Sequence, residues 1–125
     1  MGTNGKEGKS LDVRDTLKKN SDFRRLYSRG KSAVTPHMVV YCRHNPLGHN
    51  RVGYTVSTKL GHAVIRNRAR RRLREIYRLN LPAMKKGYDI VIVARKRCVE
   101  AKYQKVEAAF IAACTELGIM EGKEK

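Results

Sequence analysis

Residues 51–80 read RVGYTVSTKLGHAVIRNRARRRLREIYRLN, and the hydrophobic period changes once along them. In 51–57, Val52, Tyr54 and Val56 alternate with Gly53, Thr55 and Ser57, the two-residue period of a strand with an apolar face and a small, polar one. After Gly61 the period lengthens. Ile65, Ala69, Leu73, Ile76 and Tyr77 share an arc of about 120° at helical pitch, enough to dock a helix on a sheet. The helix is predicted to reach Leu79 and to stop near Pro82, whose ring cannot continue it.

Further elements follow on both sides. Upstream, SDFRRLYSRG puts Phe23, Leu26 and Tyr27 on one helical face, with Asn20 or Ser21 as N-cap and Gly30 as a natural C′ residue. Between them, Met38, Val40 and Cys42 alternate with Val39, Tyr41 and Arg43, a strand that is expected to form a hairpin with 51–57 across the NPLGHN loop. Downstream, YDIVIVAR after Gly87 is a nearly continuous apolar run, as expected of a strand covered on both faces. Val99, Tyr103, Val106, Phe110, Ala113 and Leu117 then recur at helical spacing up to Gly118. The order is α-β-β-α-β-α, with one more strand if 34–44 is split, and the class is an α+β two-layer sandwich. Residues 1–16 read as a basic N-terminal tail, 17–118 as one domain and 119–125 as a C-terminal tail.

Composition narrows the partner. The 125 residues carry 28 Lys and Arg against 11 Asp and Glu, a net charge of +17, with 41% hydrophobic residues. That hydrophobic share supports one core and excludes a wholly disordered basic arm. Such an excess of positive charge repels itself in a compact fold and makes sense beside a polyanion. A membrane is the weaker choice, because apolar runs such as residues 90–94 are far short of the roughly 20 residues that span a bilayer. Three widely spaced cysteines, Cys42, Cys98 and Cys114, argue for buried thiols in a reducing cytoplasm, and no signal-peptide pattern opens the chain. A metal site from Cys42, His44 and His49 lacks any supporting ligand spacing.

The charge concentrates in 59–78, where eight Lys and Arg face one acid, Glu75. Opposite the docking arc, Asn67, Arg70, Arg71, Arg74 and Arg78 form a polar stripe, with Arg68 and Arg72 on a shoulder beside Glu75. A solvated salt-bridged face would need more acids. Arg66 and Arg68 also sit in the first turns, where the macrodipole disfavours cations by roughly 0.3–1 kcal/mol each. Arginine forks suit bidentate contact with phosphate, so the stripe points to nucleic acid. Phe23 and Tyr27 are either core residues or, with Tyr41, a stacking platform for unpaired bases. Asp22, Glu75, Asp89 and Glu100 lack the close spacing of a two-metal nuclease, so neither a catalytic residue nor a metal ligand is expected in the protein. A general RNA-binding structural protein is the competing class, and a DNA-binding regulator fits less well because the arginine helix follows a strand.

LKKNSDFRRLYSRG, VVY, RVGYTVSTKLGHAVIRNRARRRLRE and YDIVIVAR, in that order over residues 17–115, resemble the bacterial ribonuclease P protein subunit, with its Arg-Asn-Arg signature at Arg66, Asn67 and Arg68. The resemblance implies an α+β sandwich whose basic helix makes a left-handed β-α-β crossover, against the general rule. It implies a holoenzyme, one protein per catalytic RNA, in which the RNA performs the Mg²⁺-dependent removal of the 5′ leader from precursor tRNA. It assigns Lys59, Arg66, Asn67, Arg68, Arg70, Arg71, Arg72 and Arg74 to RNA binding. Phe23, Tyr27, Lys31, Val39, Tyr41 and Thr55 are assigned to a cleft for the leader. Thr58, where many members carry a basic residue, Tyr27 in place of a common Phe, and the Gly-rich start depart from the family pattern.

Overall fold

The computed structural model describes residues 15–121. Its elements are α1 (Asn20–Arg29), β1 (Lys31–Val34), β2 (Met38–His44), β3 (Arg51–Thr55), α2 (Ala63–Asn80), β4 (Tyr88–Ala94), a one-turn α3 (Arg97–Glu100) and α4 (Tyr103–Glu116). The region 31–44 is split into two antiparallel strands, so the additional strand is present. Among the described residues no helix is long and apolar enough to cross a membrane.

The four strands lie in the order β1-β2-β4-β3. The expected hairpin between β2 and β3 therefore does not form. β4 enters between them, antiparallel to β2 and parallel to β3, and α2 connects the parallel pair. The central position explains why the β4 sequence is apolar on both faces: Ile90, Val91 and Ile92 are all fully buried.

Strand alternation divides the sheet into two unlike faces. Ala33, Met38, Val40, Cys42, Val52, Ile90 and Ile92 meet α2 and α4 in the main core. The docking arc of α2 is buried at Ala69, Leu73, Ile76 and Tyr77, while Ile65 is half-buried. The other face presents Tyr41, Val91 and Val93 to α1, which is anchored by the fully buried Leu26 and by Leu17. Burial of a leucine contributes about 1.5–3 kcal/mol, so this single helix is held on by few side chains and leaves much of the face open.

Several boundaries differ from the sequence reading. Helix α1 begins one residue earlier, with Lys19 at the N-cap and no side-chain cap bond. Gly30 ends α1 in extended backbone, so it is required by crowding and not by a left-handed cap: a Cβ there would stand 2.7 Å from the Leu26 carbonyl oxygen and 2.8 Å from that of Cys42. The last helix does not run on from Val99, because extended backbone at Ala101 separates α3 from α4. The C-terminal tail begins later than 119. Ile119 is fully buried, its carbonyl accepts from Lys85 N at 2.8 Å, and Met120 bridges to Met84. At the other end, Thr16 bridges to Val52 and Leu17 N donates to the Val52 carbonyl at 2.9 Å, so the fold starts inside the expected N-terminal tail. Residues 1–14 of that tail lie outside the described residues.

Candidate nucleic-acid interface

The register explains how the α1 face of the sheet becomes a cleft. Tyr41 pairs with Val91, which pairs with Gly53, and one step along, Val39 pairs with Val93, which pairs with Thr55. Val39 and Tyr41 on one side and Gly53 and Thr55 on the other thus lie two strands apart, about 10 Å at ordinary strand spacing, with Val91 and Val93 between them. Neither valine is evident as a site residue from sequence, because strand order is not encoded in the alternation.

Helix α1 closes one side. Phe23 lies on Gly53, so closely that a Cβ there would be 2.5 Å from the ring's Cζ and 2.8 Å from Cε1. Tyr27, 41% exposed, stands edge-on to Tyr41 with ring centroids 5.0 Å apart and 6.5 Å from the Phe23 centroid. Its hydroxyl shares a 2.6 Å hydrogen bond with Thr55 Oγ1. Burial differs along this helix face: Leu26 is the core anchor, Phe23 is half-buried and Tyr27 is exposed. A cavity of about 420 Å³ opens here, lined by Phe23, Arg24, Tyr27, Tyr54 and Thr55 with Asn20.

Tyr54 is a lining residue that alternation assigns to the core face. It can line the cavity because β3 is the edge strand. Burial pushes its phenol well above the usual tyrosine range, and the nearby Arg74 charge opposes part of that shift. The cleft and the basic helix therefore meet around one strand edge.

Lys31 is not in the cleft. It pairs with Cys42, whose side chain belongs to the α2–α4 core, so the two-residue period places Lys31 on the opposite face of the sheet from Tyr41. Lys59 is exposed in the 3₁₀ turn that follows β3, where Ser57 Oγ accepts from its backbone N–H at 3.0 Å.

On α2, Asn67, Arg68, Arg71 and Arg74 are exposed and Arg66 and Arg70 half-buried. Arg66 Nε donates to the Gly61 carbonyl at 3.2 Å, and Arg70 Nη1 to Asn67 Oδ1 at 3.4 Å. Arg78 pairs with Glu75 at 2.8 Å, and among the described residues it is the one cation of 59–78 with an acid partner. Arg72 differs from its neighbours. Its Nη1 donates to the Cys98 carbonyl at 3.0 Å and the Ala101 carbonyl at 2.6 Å, which fastens α2 to the break between α3 and α4. It is committed to the fold at that nitrogen.

The carboxylates beside the cleft are also committed. Asp89 accepts from Arg51 Nε at 2.9 Å and Nη2 at 2.7 Å, and from Asn45 Nδ2 at 2.8 Å. Asp22 accepts from Arg25 at 3.1 Å. The Asp89 bond and charge raise the affinity of the Arg51 guanidinium for its proton further still. Cys42 lies in the core, His44 stacks edge-on against Tyr88 and His49 pairs with Asp15, so these three do not converge as metal ligands.

The chain matches the ribonuclease P family model over residues 11–118. The ribonuclease P protein component of Alkaliphilus oremlandii is 43% identical over 104 residues, covering 83% of this chain and 91% of the relative. That of Natranaerobius thermophilus is 48% identical over 96 residues, covering 77% and 84%. The solved structure of the Staphylococcus aureus ribonuclease P protein superposes with a TM-score of 0.77 at 30% identity, over 86% of this chain and 98% of that one. The Thermotoga maritima protein gives 0.75 at 32% identity, over 82% and 97%. A four-stranded sheet with an aromatic cleft on one face, an arginine helix packed on the other and this degree of likeness together lead to one assignment: the chain belongs to the family of bacterial ribonuclease P protein components, which serve in tRNA processing.

Proposed function

We propose that the protein binds the catalytic RNA of ribonuclease P through α2 and holds the single-stranded 5′ leader of precursor tRNA in the cleft between α1 and the sheet. One observation carries this reading: an open aromatic cleft, Phe23–Tyr27–Tyr41, reaches the edge strand at Tyr54, which feels the charge of Arg74 on a helix face where, among the described residues, only Arg78 has an acid partner. Unpaired bases stack on aromatic rings, whereas phosphates are held by arginine forks, and a leader attached to a folded RNA offers both. The protein's part is to position substrate and to screen charge, which lowers the cost of bringing two polyanions together.

Hydrolysis is assigned to the RNA, with one protein per RNA in the cytoplasm, where three free, buried thiols are at home. Mg²⁺ is assigned to the RNA as well. The cleft-side carboxylates Asp22 and Asp89 are spent on Arg25 and Arg51 and do not suit a Mg²⁺ site on the protein.

The test is reconstitution with the catalytic RNA at low Mg²⁺. Precursor tRNA with a leader of several nucleotides should bind more tightly than mature tRNA. Phe23→Ala should erode that preference, while Arg71→Ala should weaken assembly and flatten its salt dependence, by roughly 0.9 in log–log slope per lost phosphate contact. Equal binding of both tRNAs by the parent protein would favour a general RNA-binding role instead.

A further inference from the structure

We propose that the open end of the β1–β2 hairpin is a second RNA-contact site, which takes one nucleotide of a single strand; the inference rests on the RNA-binding reading above. A cavity of about 250 Å³ lies there, at the end of β4 remote from Lys59 and the start of α2. Three cations from three elements line it: Arg29 at the end of α1, Lys31 at the start of β1 and Arg43 on β2. All three are exposed, and among the described residues none has an acid within ion-pair distance.

The missing partner is most informative at Arg43. Its cross-strand neighbour is Asp89, the natural counter-charge, yet both Asp89 oxygens are taken by Arg51 and Asn45. A purely structural role would let the cations answer the two helix C-termini that open on this cavity, that of α1 at Arg29 and that of α4 beside Leu117. Those ends carry about half a negative charge each, so roughly two of the three positive charges are left over.

An aromatic surface completes the site. His44 and Tyr88 are directly paired across β2 and β4 and line the same cavity, with ring centroids 5.4 Å apart at 87°. A flat base against this pair, with its phosphates toward Lys31, Arg43 and Arg29, matches the chemistry of a single-stranded nucleotide, whereas a free inorganic anion would leave the rings unused. This cavity shares no lining residue with the one between α1 and β3, so it takes a different nucleotide.

The experiment uses the full chain with a short oligouridylate carrying one 4-thiouridine, and with precursor and mature tRNA plus catalytic RNA. Cross-linking on the parent protein should label Tyr88 or His44 besides the α1 cleft. The pair Lys31→Gln and Arg43→Gln should remove that label, weaken oligouridylate binding and lower its salt slope by roughly 1.4, from two phosphates at about 0.7 each. The preference for precursor over mature tRNA should be unchanged. Labels confined to Phe23 and Tyr27, or an unaltered slope in the double variant, would overturn the second site while leaving the cleft reading in place. Loss of leader preference in the parent protein, with the Tyr88 label retained, would overturn the cleft reading alone.

Discussion

Gly53→Ala tests how tightly the cleft is built. An added methyl would stand 2.5 Å from Phe23 Cζ, 2.8 Å from Cε1 and 3.2 Å from Leu17 Cβ, so the ring must move. Overpacking of this kind costs about 1–3 kcal/mol, toward the low end here because the half-buried ring has room to swing outward. Against this, replacing a strand glycine recovers about 0.5–1 kcal/mol of backbone entropy. In the parent background the net change should be a loss of up to about 2 kcal/mol, or roughly 4–8 °C in Tm per kcal/mol. With Phe23→Ala already present, the two closest contacts vanish, and the same substitution should become neutral or stabilising. Urea denaturation of the four proteins closes the cycle, with an expected coupling of about 1–3 kcal/mol. The displaced ring should also reduce the preference for precursor tRNA. An equal cost of Gly53→Ala in both backgrounds would refute the packing of Phe23 on Gly53 and, with it, the account of why this strand position is a glycine.

Two neighbouring arginines should behave oppositely. Arg72→Ala removes two bonds to carbonyls and should cost about 1.5–3 kcal/mol in thermal or urea unfolding, whereas Arg71→Ala should stay within about 0.5 kcal/mol and lower the RNA salt slope instead; equal stabilities would count against Arg72 as the tie between α2 and α3. The buried thiols set an alkaline limit. Burial raises Cys98 to about 11 and Cys114 to about 12, so between pH 9 and those values the unfolded chain releases protons that the folded chain retains. Stability should therefore be full below pH 9 and fall as pH rises above it. The same two thiols should resist alkylation at pH 8 until denaturant is added, and prompt labelling in the folded state would refute their burial.

Much of the architecture is legible in local pattern. The switch from period 2 to period 3.6 around Gly61 locates β3 and α2, and the continuous apolar run of 88–94 marks β4 as doubly covered. The arginine face is legible for the same reason: helical geometry makes neighbours of residues three and four apart, and the lone Glu75 cannot neutralise them. Chemistry that depends on near neighbours is written in the chain.

Other features depend on which distant segments become neighbours, and composition is silent on that. Alternation says that Tyr41 and Gly53 face the same way, but the insertion of β4 between their strands comes from the sheet's topology, and it brings Val91 and Val93 into the cleft floor. The same topology makes β3 an edge, which lets Tyr54 serve core and cleft together, and it pairs Lys31 with Cys42 on the other face. Arg72 looks like every other arginine in its helix until α3 ends against it and offers two carbonyls. The charge and the helix that carries it follow from residues close in sequence, whose geometry is set by backbone pitch. The cleft, and the division of those charges into ones spent on the fold and ones left exposed, follow from contacts far apart in sequence, which only packing can assign.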